Sequence, residues 1–141
     1  LAMVIGDSIY SAHVGDSRLY VVDKAGQMAI KTKDHSLVKR LVELGEITSH
    51  EASSHPQRNV LYRALGQEDV LEPDIDLFSL EISERMMICS DGLWGVVETD
   101  EMARIINSGQ SLANITCELV DAANEAGGPD NISVILVERL T

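Results

Sequence analysis

Three aspartates stand where a carboxylate could do more than solvate a surface. Asp16 in Val14-Gly15-Asp16-Ser17-Arg18, Asp91 in Ser90-Asp91-Gly92 and Asp130 in Pro129-Asp130-Asn131 each lie beside glycine or asparagine at the end of an apolar, strand-like run. Hard divalent cations such as Mg²⁺ and Mn²⁺ prefer carboxylate and water oxygens. A strand end can hold a short Asp side chain in fixed geometry, while glycine lets the ion and its waters approach the backbone. Three such positions could share a metal cluster. Taken singly, each motif is better explained as turn chemistry, in which the carboxylate accepts from nearby backbone N–H groups. Gly6-Asp7-Ser8 resembles Gly15-Asp16-Ser17 in composition and reads as a plain hairpin turn.

The elements that must carry these aspartates follow from periodicity and turn residues. Short β-rich runs at 2–5, 9–14 and 18–22 are broken by Gly6-Asp7 and Gly15-Asp16-Ser17, and Asp23-Lys24-Ala25-Gly26 turns the chain into 28–31, which predicts a β-meander. Ser36 can cap a helix whose face holds Leu37, Val38, Leu41 and Val42 until Gly45 stops it. Residues 46–56 read as a polar, mobile stretch, and 58–66 show no assignable pattern. Residues 75–80 alternate as a strand, and 85–90 are continuously apolar, which implies burial on both faces. Thr99, Asp100 and Glu101 open a short helix to Ile106, with acidic residues at the end favoured by the helix dipole. Ser111 opens a longer one along Leu112, Ile115, Leu119, Ala122, Ala123 and Ala126 that ends at Gly127-Gly128-Pro129, before a last strand at 132–137. Strands followed by helices, without a βαβ rhythm, predict an α+β layered fold.

Composition narrows the function classes. The 141 residues, 45% hydrophobic and 4% aromatic, suit a single compact domain with a real core. No apolar run approaches the roughly 20 residues of a membrane-spanning helix, so no membrane segment is expected. A formal net charge of -12, with 11 scattered Lys and Arg, disfavours nucleic acid as a partner. Most of the 23 acidic residues are read as solvated surface. Cys89 and Cys117 lie among apolar neighbours without CxxC spacing, which predicts buried thiols in a reducing compartment, the cytoplasm. Because 1–5 already reads as a strand, the natural chain is expected to start further upstream.

The order of five words is more specific than any one of them. Ala12-His13-Val14-Gly15-Asp16-Ser17-Arg18-Leu19-Tyr20, Thr32-Lys33-Asp34-His35-Ser36-Leu37-Val38, His55-Pro56-Gln57-Arg58-Asn59, Cys89-Ser90-Asp91-Gly92-Leu93-Trp94 and Gly128-Pro129-Asp130-Asn131-Ile132-Ser133-Val134 resemble successive signatures of the PPM family of metal-dependent serine/threonine protein phosphatases. The resemblance spans essentially the whole chain. The second and third words are most similar to the bacterial signalling branch that opposes eukaryotic-like serine/threonine kinases.

That resemblance implies a sandwich of two antiparallel β-sheets flanked by helices, incomplete at its N-terminus, with metals between the sheets at one end. It implies that Asp91 and Asp130 bind one ion of a two-metal Mn²⁺ or Mg²⁺ centre, and that Asp16 binds a weaker third ion together with Asp91. Gly92, Arg18, Asn131 and Ser133 are expected to support the site through hydrogen bonds and turn geometry. Residues 36–58 would match the family's flap beside the cleft, a place for substrate discrimination. The implied chemistry is attack on phosphorus by a metal-activated water, in line and without a phospho-enzyme. Phosphorylated proteins are the implied partners, among them a eukaryotic-like kinase and its substrates.

The family's first half carries a metal-bridging Asp-Gly word, a phosphate-binding arginine and a histidine proposed as general acid, and none of these lies in this chain. His13 reads as a strand residue, His35 and His55 as structural or flap residues, and His50 as surface. The 141 residues alone are therefore expected to have little or no activity and, with sheet edges unpaired, to self-associate. Two rival readings are a non-catalytic PPM-like module that binds a protein partner, and a regulator phosphatase acting on an anti-anti-sigma-type protein.

Overall fold

The computed structural model describes residues 1–67 and 71–140. A hairpin of β1 (Ala2–Ile5) and β2 (Ser8–His13) turns through Gly6-Asp7, with Ile5 opposite Ser8 and Gly6 at positive φ, the plain turn that its composition predicts. The chain then changes sheet. β2 pairs on its other side with β5 (Asp74–Ser79), whereas β3 (Arg18–Val22) pairs with β4 (Met28–Ile30) and with β6 (Arg85–Cys89), which in turn pairs with β7 (Val134–Glu138). The result is two antiparallel sheets, ordered β1-β2-β5 and β4-β3-β6-β7.

The predicted meander is therefore corrected. Gly15-Asp16-Ser17, with Gly15 at φ +103°, carries the chain from one sheet to the other and is not a hairpin. Two apolar runs joined by a glycine turn look alike in sequence whichever sheet they enter, because only long-range partners decide it.

Burial divides the four-stranded sheet by face. Ile9, Leu19, Val21, Leu80 and Met86 pack between the sheets. Tyr20, Val22, Met87 and Cys89 point the other way, onto α3 (Asp91–Trp94), α4 (Thr99–Ile106) and α5 (Leu112–Glu125) through Leu93, Ile105, Ile106, Ile115 and Leu119. Met86 and Met87 are thus both buried, on opposite faces, as the unbroken apolar character of β6 requires. The Ser111 hydroxyl caps α5 by accepting from Asn114 N–H, and Gly127 and Gly128, both at positive φ, end it.

Residues 37–60 leave the sheets and return. They hold α1 (Leu37–Glu43), capped by Ser36, and α2 (Ser49–Ser53). α2 falls inside the stretch expected to be mobile. It forms because Thr48 and Glu51 make a reciprocal capping box, in which each side chain satisfies the other's backbone N–H. A bridge between Ser36 and Leu61 and a Leu37 N–H bond to Val60 O close the base of the excursion. Among the described residues no helix is long and apolar enough to cross a membrane.

Candidate metal centre

Asp16 and Asp91 lie at the same end of one strand pair. Arg18 in β3 lies opposite Cys89 in β6, so the turn before β3 and the chain leaving β6 emerge at the same edge. Asp91 is not in a loop, as its Asp-Gly sequence suggested. It is the first residue of the one-turn helix α3, with Ser90 as its N-cap.

The Asp16 turn is held from three sides. The Trp94 indole N–H donates to the Asp16 carbonyl at 3.0 Å. Arg18 lies over the Trp94 ring, 3.5 Å from its centroid, and forks onto Asp34 with Nε at 3.0 Å and Nη2 at 2.7 Å. Its Nη1 donates to the Tyr20 hydroxyl. Arg18 therefore braces the turn through Trp94 and Asp34. Neither partner was singled out from the sequence. The lone tryptophan beside the Ser-Asp-Gly word was the available signal for one, and an acidic residue just ahead of a helix cap was the signal for the other.

Asp130 sits on the loop that leads into β7 and is exposed, with its Oδ1 accepting from Asn131 N–H at 2.7 Å. Ser90 stitches this loop to α3: its hydroxyl donates to Asn131 O and accepts from Ser133 N–H, both at 3.0 Å, while its N–H donates to Ser133 O. The supporting bonds of Asn131 and Ser133 are therefore made by their backbones, and Ser90 is the side chain that the sequence reading left out. Gly92 is buried where a Cβ would strike the Asn131 carbonyl, so glycine allows the two loops to touch.

Burial first, and then the nearby charge of Asp91, raise the pKa of the Asp16 carboxyl above its ordinary value, and Asp34 adds to this. Arg18 opposes the shift, but its fork is committed to Asp34. A half-buried carboxyl whose ionisation is disfavoured by burial and by a neighbouring carboxylate suits a hard divalent cation. Mg²⁺ in particular takes one or two carboxylates and keeps several waters. The donor chemistry at Asp16 and Asp91 fits such an ion. Among the described residues, no three His, Cys, Asp or Glu side chains form a metal-holding group, so the site is partial, with Asp130 beside it and not in a common cluster. The two cysteines stand apart from this chemistry: burial pushes the Cys89 thiol up to about 12, and Cys117, expected to be buried, is exposed on α5.

Residues 1–132 match the family model described as protein phosphatase 2C. The chain is 40% identical over 137 residues to the protein phosphatase PhpP of Streptococcus pneumoniae, covering 97% of this chain and 55% of that protein. It superposes with a TM-score of 0.94 on the S. agalactiae serine/threonine phosphatase, at 38% identity, covering 98% of this chain and 57% of that one. With the catalytic domain of the serine/threonine protein phosphatase PstP in complex with two manganese ions, the TM-score is 0.87 at 29% identity, with 99% and 57% covered. The chain thus spans about half the length of the relatives it matches.

Proposed function

The chain belongs to the protein phosphatase 2C family, a family of metal-dependent serine/threonine protein phosphatases, and from that premise we propose that the whole protein hydrolyses phosphoserine and phosphothreonine in other proteins with Mn²⁺ or Mg²⁺. The observation that carries this reading is the pairing of Asp16 with Asp91, two carboxylates brought together by the β3–β6 register at a cost that a cation would offset. The manganese in the PstP relative supports the choice of ion.

In this reading Asp91 would hold cations together with Asp130, on the loop that Ser90 and Gly92 hold in place, and with Asp16, which would hold a further, weaker ion. Bound cations supply an activated water and neutralise phosphoryl charge. The residues of this chain do the positioning: Trp94, with Arg18 over its ring, holds the Asp16 backbone, and Ser90 holds the Asp130 loop. The excursion at 37–60 is the segment suited to act as the flap that meets the phosphoprotein. Because the bridging aspartate, phosphate-binding arginine and general acid implied by the family have no counterpart in 1–141, these residues alone turn over little.

The test is hydrolysis of a phosphothreonine peptide by the full-length protein, with Mn²⁺ and after chelation. The expected result is turnover that chelation removes and that Asp91→Asn abolishes. Turnover that persists in EDTA, or in Asp91→Asn, would overturn the reading.

A further inference from the structure

Asp34, His35 and Ser36 are three successive polar residues, all buried. Buried polar side chains are uncommon unless satisfied, and each of these is bound to a different element. Asp34 takes the Arg18 fork, and Ser36 caps α1. His35, only 1% exposed, makes the widest set of connections.

Its Nδ1 accepts from Gly15 N–H at 3.2 Å, while its own backbone N–H donates to Gly15 O at 2.8 Å, so two hydrogen bonds join it to the residue before Asp16. An accepting Nδ1 places the ring proton on Nε2, which then donates to Asp74 Oδ2 at 3.1 Å on β5. Arg63 Nη1 holds the other Asp74 oxygen at 2.9 Å; its 3.4 Å approach to Nε2 joins two donors and is not a bond in this tautomer. The His35 carbonyl accepts from Tyr62 N–H at 2.9 Å, next to the bridge that closes the 37–60 excursion. The His13 and Tyr62 rings pack against the imidazole, at 5.1 and 5.7 Å between centroids.

We propose that His35 is a positioning residue: its ring, fixed at both nitrogens, holds the Gly15-Asp16 turn, and its carbonyl and ring face hold Tyr62 at the base of the 37–60 excursion, so that the two shift together. Displacing the ring breaks the Gly15 bond and disturbs the Tyr62 return in one movement. A cation at Asp16 and a phosphoprotein lying against the excursion then bias a common equilibrium, and each strengthens or weakens the other's binding by the same factor. The consequence for binding rests on the proposed function. The mechanical tie does not.

The test is made from the outer arm, in the full-length protein. Asp74 is bonded to His35 and not to Gly15, so Asp74→Ala loosens the ring from the side away from the turn; Asp74 also holds Arg63 and lies opposite His13 on β2, which the His35 variants below leave in place. Asp76→Ala on the same strand makes the same change in charge without touching the ring, and serves as the control. In Asp74→Ala the amides of Gly15 and Tyr62 exchange about tenfold faster, as expected for one lost hydrogen bond to a charged group. Mn²⁺ binds more weakly by isothermal titration, and KM for a phosphothreonine peptide rises more than kcat falls. Asp76→Ala leaves the exchange unchanged. A second pair separates the arms: His35→Asn can keep an acceptor for Gly15 N–H, and His35→Gln can keep a donor for Asp74, so Gly15 stays better protected in the former. Unchanged Gly15 exchange in Asp74→Ala, or equal effects of Asp74→Ala and Asp76→Ala, would overturn the tie. Faster exchange with the expected pattern in a protein devoid of phosphatase activity would uphold the tie and sink the proposed function instead.

Discussion

In the proposed centre Asp16 and Asp91 carry the chemistry, because burial and the nearby Asp91 charge make the ionised Asp16 carboxylate one that a cation would stabilise. Asp91→Asn and Asp16→Asn should each reduce the affinity for Mn²⁺, with Asp91→Asn the larger loss because it is the shared ligand in the proposed centre; isothermal titration checks the order. The cysteines test burial directly. Cys89 keeps its proton up to about 12 in the fold, above the roughly 8.5 of an unfolded cysteine. A folded pKa raised above the unfolded one contributes stability that is fully present below about pH 8.5 and is lost as pH climbs toward the folded value. At pH 8 a thiol reagent should therefore label one cysteine quickly, Cys117, and the second only on unfolding, while urea midpoints should fall as pH is raised above about 9. Both aspartates were legible from their glycine neighbours. Trp94 and Ser90 were not, since their partners lie 78 and 41 residues away along the chain.

Elements place these residues by local signals of uneven visibility. The Thr48–Glu51 capping box makes α2 out of a polar stretch, and Thr48→Ala should cost about 1 kcal/mol of local stability. Amide exchange at 50–53 should report this with little change in the global unfolding midpoint, because α2 buries no residue. The Thr–x–x–Glu spacing was present in the sequence, but the absence of an apolar face hid it. Gly92 shows the opposite case. A methyl group there meets a backbone carbonyl that cannot give way, so Gly92→Ala should destabilise the protein by about 1–3 kcal/mol and separate the Asp91 and Asp130 loops. Thermal melts together with Mn²⁺ titration would register both effects. The change of sheet at Gly15 was invisible for a related reason: β2 and β3 carry the same alternation whether they pair with each other or, as they do, with β5 and β6.

Across the molecule, among the described residues, the four-stranded sheet is covered on both faces and the three-stranded sheet on one. Met3, Tyr10 and Leu77 stand in one row across the outer face of the latter, 51%, 41% and 57% exposed, and Ile75 lies beside them. A bare apolar face next to the open edge of β1 favours association. Residues 1–141 expressed alone should sediment as concentration-dependent oligomers, and Tyr10→Lys combined with Leu77→Lys should shift them toward monomer. A clean monomer of the unmodified chain by light scattering would count against this. The main core lies on the other side, where Leu119→Ala should cost about 2–5 kcal/mol in a urea titration.

Periodicity and turn residues were enough to determine the layered α+β class, the strands that end at the aspartates, the caps of α1 and α5, and the double-sided burial of β6. These are properties of neighbours within a few residues, where spacing alone sets which face a side chain takes. The five signature words added the family, because their order along the chain is itself a sequence property. Tertiary structure alone decided that Gly15 crosses between sheets, that Asp16 and Asp91 lie at one end of the β3–β6 pair while among the described residues no three-membered cluster forms with Asp130, and that His35 is bonded at both nitrogens. Each depends on contacts between segments far apart in sequence, and the free energy of such a contact is not written at either of the positions that make it.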